Sequence, residues 1–144
     1  MGTKNVNIGP AVSSDVVRLA VEYNDALDWC TRTGGENIDE VMQFFAEDAM
    51  RVNVGQEPSV GKAAIRESFL RRSANLQQVV ELRGIELWGD LVVCRIERED
   101  TTHAVVGLEH HLRILLVKGG LIKRLIVIVD PEEDARLKLP PISI

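Results

Sequence analysis

The second half of the chain constrains the fold most, because four apolar-rich runs follow one another there with only turn chemistry between them. Residues 77–88, 91–99, 104–118 and 121–130 are rich in Val, Ile and Leu and alternate in polarity, the pattern of strands. Gly89-Asp90, the polar stretch Asp100-Thr101-Thr102 and Gly119-Gly120 separate them, and residues of these types make tight reversals. The expectation is a long antiparallel meander.

Helices precede it. Ser13, Ser14 and Asp15 are cap candidates for a helix whose apolar positions Val16, Leu19, Ala20, Tyr23, Ala26, Leu27 and Cys30 form one stripe. That helix ends at Thr33-Gly34-Gly35. Asn37 with Glu40 resembles a capping box opening a second helix through Phe45. A short strand at 50–54, a turn at 55–58 and a third helix at 62–72 complete the first half. Helices first and strands second, without βαβ alternation or an internal repeat, give an α+β domain. At 144 residues one core suffices. The expected organisation is a flexible N-terminal arm at 1–12, one domain at 13–132 and a tail at 133–144 that contains Pro140 and Pro141.

Seventeen basic against 22 acidic residues leave a net charge of -5, which disfavours nucleic acid or an anionic membrane as partner. Cys30 and Cys94 lack metal spacing and are too few for a disulfide framework, so they read as buried thiols of a cytoplasmic protein. The first residues hold no apolar signal core, and no apolar run is long enough to span a bilayer. No phosphate-binding glycine loop, nucleophile elbow or Cys/His metal spacing occurs, so neither a cofactor nor a metal is expected.

The phrase Ile38-Asp39-Glu40-Val41-Met42-Gln43-Phe44-Phe45-Ala46-Glu47-Asp48-Ala49, followed by Gly61-Lys62-Ala63-Ala64-Ile65-Arg66, resembles the NTF2-like superfamily, in particular its SnoaL-like, ketosteroid isomerase and limonene epoxide hydrolase branches. The resemblance covers residues 14–130. It implies a cone in which N-terminal helices pack on a strongly curved antiparallel sheet and enclose one apolar pocket, commonly in a homodimer. Members use the pocket for isomerisation, hydrolysis, cyclisation or ligand binding alone, so the implied partner is a small hydrophobic or polycyclic molecule.

Within that resemblance, Arg95-Ile96-Glu97 is similar to the Arg-x-Asp of limonene epoxide hydrolase, in which the carboxylate activates water. Arg51 and Asn53 fall where that family places a Tyr and an Asn that help to hold the water. The proton-donor position falls on Val127, which carries no acid. Alternation alone gives another arrangement, with Val92, Cys94 and Ile96 buried and Arg95 and Glu97 solvated. Tyr23 aligns with the oxyanion-hole tyrosine of ketosteroid isomerase, whose base position falls on Val52 or Asn53.

His110 stands in the apolar line of Val106, Leu108, Leu112, Ile114 and Leu116, whereas His111 and Arg113 share the opposite face with Glu109. It is either a hydrogen-bonded core residue or a general acid or base facing the pocket. Arg95, Glu97, His110 and Tyr23 are therefore the catalytic candidates. Asn53, Arg51, Trp29, Phe45 and Val127 are the candidates for lining the pocket. Apolar side chains on both faces of the long strands point to a homodimer through the sheet.

Overall fold

The computed structural model describes residues 7–8, 14–75, 78–100 and 108–129. Helix α1 (Ser14–Arg32) buries Ala20, Tyr23, Ala26, Leu27 and Cys30, the stripe expected from helical spacing. It stops where Gly34 and Gly35 turn to positive φ, and Gly35 N donates to Cys30 O at 2.9 Å. Gly35 also stands close to the third helix. A Cβ there would stand 2.8 Å from Leu70 Cδ2 of helix α3 (Lys62–Asn75), to which the leucine would have to give way, whereas the positive φ is what favours glycine.

Helix α2 (Ile38–Met42) is shorter than the helical pattern suggests. The Asn37 side chain does not cap it; its amide donates to Ala26 O at 2.9 Å and to the Glu40 carboxylate at 3.3 Å. Strand β2 (Phe45–Asn53) accordingly begins at Phe45, not at residue 50. Burial of the Phe45 ring beside Tyr23 and Phe69, and pairing of Phe45 with Ile122, outweigh the local helical period.

The remaining strands are β1 (Asn7–Ile8), β3 (Ser59–Val60), β4 (Gln78–Trp88), β5 (Leu91–Asp100), β6 (Leu108–Lys118) and β7 (Leu121–Val129). They form one curved, open sheet in the order β1-β4-β5-β6-β7-β2-β3. β4 to β7 are the antiparallel meander expected from the sequence. The sheet as a whole is mixed, because β2 joins β7 in parallel and Asn7 and Ile8 of the N-terminal arm pair in parallel with Gly84 and Ile85. The tail at 133–144 lies outside the described residues. Among the described residues no helix is long and apolar enough to cross a membrane.

Register decides which side chains meet the helices. Val92 pairs with Leu115 and Leu115 with Leu125, while Cys94 pairs with Arg113 and Ile96 with His111. Val92, Cys94, Ile96, Leu115 and Leu125 are buried, so this row is the inner face under α1 and α3. Arg51, opposite Leu125, and Asn53, opposite Val127, extend it onto β2. An extra residue at Arg83, between the pairs Leu82–Ile96 and Gly84–Arg95, keeps both Leu82 and Ile85 inside and sharpens the bend of the sheet.

Candidate functional site

Among the described residues, buried charged side chains of the inner face gather at one place. Tyr23 from α1, Arg51 from β2 and His111 and Arg113 from β6 converge on a chamber that Leu27, Phe69, Ser73 and Val127 help to line. Tyr23 is 0%, His111 6%, Arg51 7% and Arg113 8% exposed. A core of this size needs no such groups, and burying them is costly unless each finds a partner. The chamber measures about 30 Å³, room for roughly two water molecules.

At Arg51 and Tyr23 the partners among the described residues are neutral or missing. Arg113 Nη1 donates to Asn24 Oδ1 at 2.6 Å, and Asn24 Nδ2 donates to Ala20 O at 2.8 Å, which fixes the amide. Arg51 Nη1 donates to Ser68 Oγ at 3.1 Å, and the guanidinium stands 4.8 Å above the Phe69 ring. Arg51 Nε and the Tyr23 hydroxyl have no hydrogen-bond partner among the described residues. Burial pushes the Tyr23 phenol up to about 12, although the fields of Arg113 and Arg51 pull the other way. The hydroxyl is therefore a donor at neutral pH. Burial also raises the Cys94 thiol to about 11, so it is no nucleophile there.

No acid lines this chamber among the described residues. Nor do they include a cluster of His, Cys, Asp or Glu that could hold a metal ion. What the arrangement can do is donate hydrogen bonds and positive charge to an oxygen atom.

No family model and no curated protein matches the chain. Solved structures do. An LEH-like epoxide hydrolase of M. tuberculosis superimposes with a TM-score of 0.68 at 17% identity, over 82% of this chain and 84% of that one. An NTF2-like protein of unknown function from Burkholderia pseudomallei gives 0.70 at 13% identity, over 87% of this chain and 98% of that one. A Jannaschia protein described as a SnoaL-like polyketide cyclase gives 0.73 at 11% identity, over 92% of this chain and 100% of that one. The fold is NTF2-like. At these identities the likeness is one of fold and leaves chemistry to the residues.

The NTF2-like cone divides the sequence-derived candidates between its two sheet faces. Tyr23, Arg51 and Val127 line the inner chamber. Phe45 is core beneath it, in edge contact with Tyr23. Asn53 lies on the inner row but bonds Gln56 Oε1 at 3.2 Å, and Trp29 is 54% exposed on the outer side of α1. Arg95, Glu97 and His110 lie on the outer face, because Ile96 and its register partner His111 take the inward positions. Of the two arrangements the sequence leaves open for Arg95 and Glu97, the structure has the one that simple strand alternation gives.

Arg95, Glu97 and His110 do come together, in an open hollow of about 320 Å³ with Arg83 and Leu112. Its charges are matched. Arg95 Nη2 is 2.7 Å from Glu86, Arg83 reaches Glu97 at 2.9 Å and Glu81 at 2.7 Å, and His110 Nε2 is 3.6 Å from Glu97. Solvated pairs of this kind are worth little and leave little to attract a ligand. His111 and Arg113 are the residues that sequence reasoning passed over. They share the β6 face of Leu115 and Val117, and the parity of the buried Val92, Cys94 and Ile96, carried across the β5–β6 register, is the signal that finds them.

Proposed function

We propose that this chain is a small-molecule-binding protein that seats the polar head of a mostly apolar ligand in the inner chamber of its NTF2-like cone. One observation carries this reading: Tyr23, Arg51, His111 and Arg113, from three elements, turn buried polar groups into a single space where packing alone would place hydrocarbon. Described fold neighbours include an epoxide hydrolase and a polyketide cyclase, which supports a small-molecule role. Carboxylate-driven water activation is not favoured, since Glu97 is on the outer face and Val127 supplies no proton.

The proposal includes a homodimer through the outer sheet face. Leu112, Ile114, Leu116, Ile126 and Ile128 remain half-buried there, a stripe that a second copy would cover. Light scattering should give a dimer, and a monomer at micromolar concentration refutes that part.

A second reading, an acid–base enzyme, is favoured by one feature: His111 and Tyr23 line the same space and could serve as base and oxyanion donor. Extraction of the purified protein followed by mass spectrometry tests the main reading. A co-purified small molecule should be released from the wild type and be absent from Val127→Phe, whose larger ring fills the chamber while circular dichroism shows the fold intact. The same compounds recovered from both proteins refute it.

A further inference from the structure

We propose that the ligand of the inner chamber carries an anionic oxygen, a carboxylate or an ionised phenol or enol, held between Arg51 and Arg113 and hydrogen-bonded by Tyr23. This rests on the chamber being a binding site. The argument begins with charge. Guanidinium groups stay protonated in proteins, so both arginines keep their charges where the dielectric is low. Removing one such ion from water costs several kcal/mol, and two of like sign in one space add repulsion. Consistent with this, burial and the neighbouring Arg113 both work against the charge on Arg51.

Among the described residues no charge offsets that cost at Arg51. Its hydrogen-bond partner is the neutral Ser68 hydroxyl, its stacking partner is Phe69, and its Nε–H has no acceptor. The Tyr23 hydroxyl, fully buried in the same space, is a second donor without an acceptor. A neutral ketone would satisfy Tyr23 and leave the charge uncompensated. A cation would meet two guanidinium groups. An anionic oxygen satisfies both donors and the charge, and a single oxygen-bearing group suits a space of about 30 Å³.

The test uses the full-length protein, calorimetry and two pairs of near-isosteric probes: benzoate with benzamide, and 4-nitrophenolate with nitrobenzene. At least one anion should bind at least about tenfold more tightly than its neutral partner, the equivalent of one charge-assisted hydrogen bond. Benzoate alone assigns a carboxylate; 4-nitrophenolate alone, bound with the absorption of its ionised form, assigns a phenol or enol. Benzamide and nitrobenzene both binding as tightly as their anions overturns the inference and leaves the chamber a binding site. Failure of all four probes to bind up to their solubility overturns both.

Arg51→Met should lose benzoate affinity by at least about tenfold, keep that for benzamide, and melt no lower than the wild type without ligand. Tyr23→Phe, which retains the ring packing, should weaken benzoate several-fold. Full benzoate affinity in both variants would overturn the inference.

Discussion

Tyr23→Phe separates a binding group from a structural one, because the two roles give opposite signs. The Tyr23 ring makes edge contacts with Phe44 at 5.7 Å and Phe45 at 5.5 Å, and phenylalanine preserves both. What the substitution removes is a fully buried hydroxyl with no partner. Such a group costs about 1–3 kcal/mol of desolvation, and the atom-sized void left behind returns part of that as lost contact. The ligand-free variant should therefore be more stable by about 1 kcal/mol, which is roughly 3 °C in melting temperature for a chain of this length.

Urea unfolding followed by far-ultraviolet circular dichroism is the appropriate assay, since Trp29 and Trp88 are half-exposed and report burial poorly. With saturating benzoate the order should reverse, because the wild type gains more from ligand linkage. A ligand-free variant destabilised by about 1 kcal/mol or more, the ordinary cost of losing a buried hydrogen bond, would refute the reasoning. The hydroxyl would then be part of the fold.

Tyr23 is the only tyrosine, so absorbance reads its ionisation directly, and the midpoint should stand near 12 in the folded protein rather than at the ordinary 10.0. Below pH 10 the phenol is neutral in both states; between 10 and 12 the unfolded chain ionises first, so stability should fall as pH rises through that window. Tyr23→Phe should lose that component, and a native midpoint at 10.0 would contradict the burial. Glu97→Gln should leave chamber binding unchanged and alter stability by less than about 1 kcal/mol, because its partners Arg83 and His110 are solvated; loss of calorimetric binding would return attention to the outer face. Val92→Asp puts a carboxylate opposite Leu115 on the inner face and should unfold the domain at a cost of several kcal/mol, a result checked by circular dichroism.

Local rules made the meander, the first helix and the glycine stops legible in the sequence. Alternation and turn chemistry require no knowledge of the partners. The start of β2 was not legible, since Val41, Met42 and Phe45 fit a helical stripe and only the pairing of Phe45 with Ile122 makes a strand of it. The site was legible in part. Tyr23, Arg51 and Val127 lie where the resemblance implies a pocket, whereas His111 and Arg113 lie on the β6 face that carries the polar side chains. Apolarity misleads on this strand because its outer row of Leu112, Ile114 and Leu116 is the more hydrophobic one. Irregularities at Leu82/Gly84 and Leu116/Val117 shift parity further, and no sequence pattern announces them.

The central claim is that the chamber under the helices, and not the larger hollow outside the sheet, receives the ligand. Nuclear magnetic resonance of the arginine Nε–H groups during a benzoate titration of the full chain tests it directly, because the two sites hold different arginines. Arg51 should shift as its Nε–H gains an acceptor, with Arg83 and Arg95 unmoved in their pairs with Glu97 and Glu86. Shifts at Arg83 and Arg95 with Arg51 unchanged would contradict the claim and place the site on the outer face.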